Sequence, residues 1–100
     1  MRIINTNQII KLWLIYQENG ENVTGETDLS VDIVNNINNS VIASYQLTEL
    51  GTTALYFYNW NSSDIDLETD IRVVYKKGTE ILFSEEFYVD SLEDSDGIII

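Results

Sequence analysis

Ile71-Arg72-Val73-Val74-Tyr75-Lys76-Lys77-Gly78-Thr79-Glu80-Ile81-Leu82-Phe83-Ser84-Glu85-Glu86-Phe87-Tyr88-Val89 decides the fold class of this chain. Ile71, Val73 and Tyr75 alternate with Arg72 and Lys76, the two-residue period of a half-buried strand. Lys77-Gly78 supplies a tight reversal, and Ile81, Phe83, Phe87 and Val89 resume the alternation beyond it. The stretch therefore predicts a β-hairpin. Glu85 falls in phase with the apolar row. An isolated carboxylate in an apolar interior is costly, so a β-bulge around Ser84–Glu86 or an edge position is expected there.

The same period runs upstream. Between Gln8 and Gln17, Ile10, Leu12, Leu14 and Tyr16 form one row, and Ile9, Lys11, Trp13 and Ile15 the other. Both rows are largely apolar, so something should cover part of the second. Glu18-Asn19-Gly20-Glu21-Asn22 and Thr24-Gly25 read as turns. Leu29, Val31 and Ile33 alternate with Ser30 and Asp32. The Asn-rich stretch 35–39 reads as a hairpin loop leading to Val41, Ala43, Tyr45 and Leu47, because Asn tolerates positive φ. Glu49-Leu50-Gly51-Thr52 is a further turn. Leu55 to Trp60 is a strand with large residues on both faces, and 61–66 is a polar loop.

The expected fold is all-β, a small antiparallel immunoglobulin-like sandwich of about six to seven strands. The expected organisation is an N-terminal arm at 1–7, a sandwich at 8–90, and an acidic tail at 91–100 ending in Ile98-Ile99-Ile100. Helical periodicity fits only weakly, around 90–96.

Composition narrows the function classes. One hundred residues at 44% hydrophobic content make one small domain, and 22% charged with 11% aromatic residues is not a disordered composition. The chain has no His, Cys or Pro. The commonest general base, the thiol nucleophile and the usual transition-metal ligands are thus missing, and no disulfide framework is available. Seventeen acids against five bases give a net charge of −12, and the bases Arg2, Lys11, Arg72, Lys76 and Lys77 are scattered. Binding to phosphate needs Lys and Arg to displace counterions, so neither nucleic acid nor an anionic membrane is an expected partner. The start carries no signal-peptide pattern, and no apolar run approaches the ~20 residues that span a bilayer. Synthesis in a reducing cytoplasm is expected.

Thr48-Glu49-Leu50-Gly51-Thr52-Thr53-Ala54-Leu55-Tyr56-Phe57-Tyr58-Asn59-Trp60, then Ile71-Arg72-Val73-Val74-Tyr75 and Glu86-Phe87-Tyr88-Val89, resembles the second half of small immunoglobulin-like modules in structural proteins of tailed bacteriophages. In those modules a Gly turn leads to a Tyr-rich strand, a polar loop, a strand ending near a Gly turn, and a final Glu-Phe-x-Val strand. Ala54 stands where such modules often carry Gly before the aromatic strand. The resemblance covers about half the chain and its motifs are structural. It implies a virion component made in the host cytoplasm.

Several groups of residues are candidates for a site. Asp64, Asp66, Glu68 and Asp70 recur at every second position, and oxygen-rich clusters attract Ca²⁺ or Mg²⁺. The run lacks the Gly at the sixth and the Glu at the twelfth position of a calcium-binding loop, and it reads as a solvated acidic edge; no metal or other cofactor is expected. A glycosidase pair would need two carboxyls facing across a cleft, for which a small sandwich has little room. No nucleophile–base pair or phosphate loop is present, so no enzymatic activity is expected. The glycosylation patterns at Asn22, Asn38 and Asn61 read as coincidence in a chain with ten Asn.

The expected partner-binding residues are Trp13, Tyr56, Tyr58, Trp60, Ile98, Ile99 and Ile100. Tyr56, Tyr58 and Trp60 share one strand face and would form an outer aromatic stripe if Leu55 and Phe57 entered the core; the opposite arrangement would pack them inward. The three isoleucines would dock on a partner or return as an edge strand. The expected function is a non-enzymatic phage structural protein. In the leading form it is a capsid auxiliary or decoration protein, binding the major capsid protein or another virion protein in many copies on a symmetric assembly. A tail or fibre module binding host carbohydrate or another virion protein is the alternative, and an acidic nucleic-acid mimic is a third reading.

Overall fold

The alternation becomes two facing sheets in the computed structural model, which describes residues 2–5, 8–65 and 69–90. In chain order the strands are β1 (Arg2–Asn5), β2 (Ile9–Ile15), β3 (Gln17–Glu18), β4 (Glu21–Asn22), β5 (Leu29–Asn35), β6 (Val41–Gln46), β7 (Thr48–Glu49), β8 (Leu55–Asn61), β9 (Thr69–Lys77) and β10 (Glu80–Asp90). A single 3₁₀ turn, Ser62–Asp64, is the helical element among the described residues; Asn61 caps it by accepting from the Ser63 N–H. The larger sheet has five strands in the order β1-β10-β9-β5-β6, and the smaller has three in the order β2-β8-β7. β3 and β4 form a separate short hairpin. The protein is an all-β sandwich.

Turn chemistry sets the reversals. Asn19 and Gly20 both have positive φ, +53° and +80°, the pairing a type I′ hairpin turn requires between β3 and β4. Asn39 takes φ +62° at the end of the Asn-rich loop between β5 and β6, as its side chain permits. Gly78 turns β9 into β10, so the hairpin read from 71–89 is present.

The core lies between the sheets. Val31, Ile33, Ile71 and Val73 from the larger sheet meet Leu12, Leu14, Tyr56 and Trp60 from the smaller, all within one buried cluster. β2 alternates exposed and buried at every residue, as its period-2 pattern dictates. Two aromatic stacks bridge or flank the layers: Trp60 on Phe87 with ring centres 6.5 Å apart, and Tyr45 on Tyr58 at 4.2 Å.

Three features differ from the sequence reading. Arg2–Asn5 lies in the stretch expected as an arm, yet it is a strand of the larger sheet, paired parallel to β10 from Arg2↔Phe87 to Asn5↔Asp90. Ile4 of that strand is buried in the common core. Of the two alternatives for Glu85, the edge position is the one found; no bulge falls at Ser84–Glu86, and the β9–β10 register shifts earlier, between Ile81 and Phe83. Finally, the aromatic strand is turned over. Tyr56 and Trp60 are buried and Tyr58 is half-buried against the core, while Leu55 and Phe57 face outward, half-exposed. The reason lies in phase: Asn59 and Asn61 share a row with Leu55 and Phe57, and burying that row would bury two amides.

Ala54 explains how the strand enters this orientation. It is fully buried at φ +62°, the left-handed conformation that a Cβ makes costly. Its N–H donates to Glu49 Oε2 at 3.0 Å, and its carbonyl accepts from the Tyr16 N–H at 3.0 Å. Ala54→Gly relieves about 1–2 kcal/mol of backbone strain, but loses a buried methyl worth ~0.8 kcal/mol and frees the unfolded chain by ~0.4–1 kcal/mol. Its unfolding free energy, measured by denaturant titration, should therefore change by no more than about 1 kcal/mol in either direction, the gain and the two losses nearly offsetting.

Candidate functional site: the open side of the sandwich

Among the described residues, the two sheets do not close along one side. β2 is the edge of the smaller sheet, paired only with β8 among the described residues. Below it, β1 covers β10 only from Phe87 to Asp90, which leaves Glu80–Glu86 on an edge as well among the described residues. Between these edges lies a groove of about 350 Å³ lined by Lys11, Trp13, Leu14, Ile15, Tyr75, Phe83 and Glu85. Within this lining Phe83 stacks on Tyr75 with ring centres 4.3 Å apart. Trp13, Ile15 and Phe83 are 50%, 50% and 42% exposed, so they are apolar groups the core does not consume.

Glu85 shows why the groove is wet. It pairs with Val73 and therefore stands on the row that faces the smaller sheet, yet it is exposed. The smaller sheet stops at β2, so water reaches the carboxylate and no burial penalty arises. The conflict of phase seen in the sequence was the trace of this missing cover. It points to Phe83, Ile15 and Tyr75, which sequence reasoning had not singled out as site residues.

The chemistry here is that of recognition. Apolar side chains and an unpaired strand edge suit an extended or apolar protein segment. Lys11 lies over the Phe57 ring, 5.2 Å from its centre. Lys76 pairs with Asp32 at 3.1 Å, Lys77 with Glu18 at 3.3 Å and Glu26 at 3.7 Å, and Arg72 donates to Asn36 and Asn39. These bases are engaged by the chain's own acceptors rather than gathered into a phosphate-binding patch.

Of the expected partner-binding residues, Trp13 is on the open side. Tyr56 and Trp60 are buried, and the outer aromatic stripe does not form. Instead the Tyr56 hydroxyl donates to the Val23 carbonyl at 2.9 Å and accepts from the Glu26 N–H at 3.1 Å, while Glu49 Oε1 accepts from the Gly25 N–H at 2.9 Å. These bonds pin the loop between β4 and β5. Ile98, Ile99 and Ile100, with the rest of 91–100, lie outside the described residues, as do Asp66 and Glu68 of the acidic run. Among the described residues no group of acid side chains is placed to hold a metal ion.

One surface cluster is electrostatically tuned. The Tyr16 hydroxyl donates to Glu18 Oε1 at 2.8 Å, and that bond, followed by those from Lys77, holds the Glu18 carboxyl below its ordinary value of 4.5. A lowered folded-state pKa contributes stability that is present above the ordinary value and is lost as pH falls through the lowered one. Glu18→Gln should therefore lower the neutral melting temperature slightly and flatten the acid-melting curve below pH 4.5, the two curves converging as pH falls through the lowered value. No protein-family profile, curated protein or solved structure matches this chain.

Proposed function

We propose that this chain is a non-enzymatic binding module of a bacteriophage particle, in its leading form a capsid auxiliary or decoration protein that docks on another virion protein through the open side of the sandwich. The observation that carries the binding role is the groove between β2 and β10, where Trp13, Ile15 and Phe83 stay exposed beside an unpaired strand edge. An apolar recess of this kind recognises a partner by burying apolar surface and completing backbone hydrogen bonds. The virion setting is supported by the resemblance of 48–60, 71–75 and 86–89 to phage structural modules.

The immunoglobulin-like reading belongs to the same proposal. It is supported by the strand orders, β10-β9-β5-β6 corresponding to G-F-C-C′ and β2-β8-β7 to B-E-D. The carbohydrate-binding form draws no support from Tyr56 and Trp60, whose buried rings offer no face for a sugar to stack on.

Quantitative mass spectrometry of purified particles tests the setting. A copy number comparable to that of the major capsid protein is expected. A handful of copies would move the chain to the tail, and absence from particles would overturn the virion reading. Phe83→Ser, an exposed-edge change, should release the chain from particles without changing its circular dichroism spectrum.

A further inference from the structure

We propose that the partner seated on the β2 edge is a second copy of this chain, its own β2 added antiparallel about a two-fold axis through Leu12. The inference rests on the reading of the open side as a docking face: it assigns the β2 rim to a second copy and leaves the β10 rim, with Phe83, to the virion protein.

The backbone of β2 is set for this pairing. Tyr16 N–H donates to the Ala54 carbonyl at 3.0 Å, and Ser62 N–H donates to the Gln8 carbonyl at 2.9 Å. In an antiparallel ladder such pairs recur at every second residue, so the polar groups of Ile10, Leu12 and Leu14 point toward β8. Those of Ile9, Lys11, Trp13 and Ile15 consequently point to the open edge. A two-fold axis through Leu12 sets Ile9 against the other copy's Ile15, and Lys11 against its Trp13. Both are the hydrogen-bonded kind of pair, so every outward N–H and C=O finds a partner.

The side chains agree with the backbone. Ile9-Ile10-Lys11-Leu12-Trp13-Leu14-Ile15 is nearly self-complementary about its centre. On the outer face the pairing joins β-branched residues to each other and places an ammonium beside an indole, both favourable cross-strand pairs. A slip by one residue would turn the outward groups away from each other. A slip that moved the axis to Lys11 would oppose two like charges. β2 carries no acid, although the chain's net charge is −12. The strand is thus a stretch where two such acidic molecules can approach. Each copy's remaining charge still repels the other, so salt should strengthen the contact by screening, opposite to an interface built from ion pairs.

Sedimentation velocity over a concentration series tests this. A monomer–dimer equilibrium is expected, tightening severalfold as NaCl rises from about 20 mM to about 150 mM. Ile15→Lys places a charge against Ile9 of the other copy at both ends of the ladder and should weaken the dimer at least about tenfold. Combining Ile9→Lys with Ile15→Glu restores matched pairs only in this register, and should recover affinity to within about threefold of the parent. Both changes are at exposed positions, and an unchanged far-ultraviolet spectrum and melting temperature confirm folding. A chain that stays monomeric throughout, or a dimer indifferent to Ile15→Lys, overturns the pairing. A monomer that nevertheless loses particle binding on Phe83→Ser overturns the self-pairing while leaving the docking-face reading intact. A dimer disrupted by Ile15→Lys in a chain absent from particles supports the pairing and removes only the virion setting.

Discussion

Trp60→Ala is expected to lower the folding free energy by about 3–5 kcal/mol, the range for deleting a large aromatic side chain from a closed core. Trp60 is fully buried, pairs across the ladder with Ile10, and stacks on Phe87 of the opposite sheet. Its removal would open a void that touches both layers. A domain of this size has only ~5–15 kcal/mol of stability in all, so the variant should be largely unfolded at moderate urea. The indole Nε1 is buried with no hydrogen-bond partner among the described residues. Trp60→Phe keeps a ring against Phe87 and removes that unpaired donor, so it should cost about 1 kcal/mol, a small part of the alanine effect. Urea denaturation of the two variants separates packing from the polar penalty; equal losses would show that ring contact with Phe87 contributes little.

Tyr56→Phe should cost about 1–3 kcal/mol although it deletes one oxygen. The ring would stay in place, but the Val23 carbonyl would lose its donor and the Glu26 N–H its acceptor in one step. Both groups sit in the loop that carries the chain from the small hairpin β3–β4 into β5. Glu49 holds the Gly25 N–H nearby, so the loop should remain tethered rather than detach. Amide hydrogen exchange provides the specific readout. The Glu26 amide should exchange much faster in the variant while amides of Val31 and Val73, deep in the larger sheet, slow or quicken only with global stability. Uniform acceleration of all amides would mean that the hydroxyl acts on the whole fold and not on this loop.

Legibility in the sequence followed the range of the interaction. The β9–β10 hairpin, the alternation of Leu29, Val31 and Ile33, and the turns at Asn19-Gly20 and Asn39 were readable because each is decided within a few residues by period and φ. β1 was not. Its parallel pairing with β10 joins residues at opposite ends of the chain, and no local pattern reports such a partner. The aromatic strand was half-readable. Its period separated Tyr56, Tyr58 and Trp60 from Leu55 and Phe57, but the inward row was decided by Asn59 and Asn61, two residues that hydrophobicity alone passes over. The groove was legible through Trp13, on a second row too apolar to face water throughout, and as an inconsistency, a glutamate in an apolar row. That inconsistency arises because the smaller sheet is narrower than the larger, which is a property of the assembled layers and of no single strand.

The parallel pairing of β1 with β10 also sets a schedule. Arg2–Asn5 is the first described strand to be synthesised, and its partner residues Phe87–Asp90 are the last. At ~5–20 residues per second, some 85 intervening residues imply a wait of roughly 4–17 s before Ile4 can reach its place. During that interval β2 finds β8 and β5 finds β6 and then β9, yet the larger sheet lacks both β10 and the strand that pairs with it. High contact order of this kind slows folding and exposes unpaired edges to other chains. Nascent copies crowded on one message would meet one another in that state, with the β2 edge already formed and the far side of the sandwich unfinished.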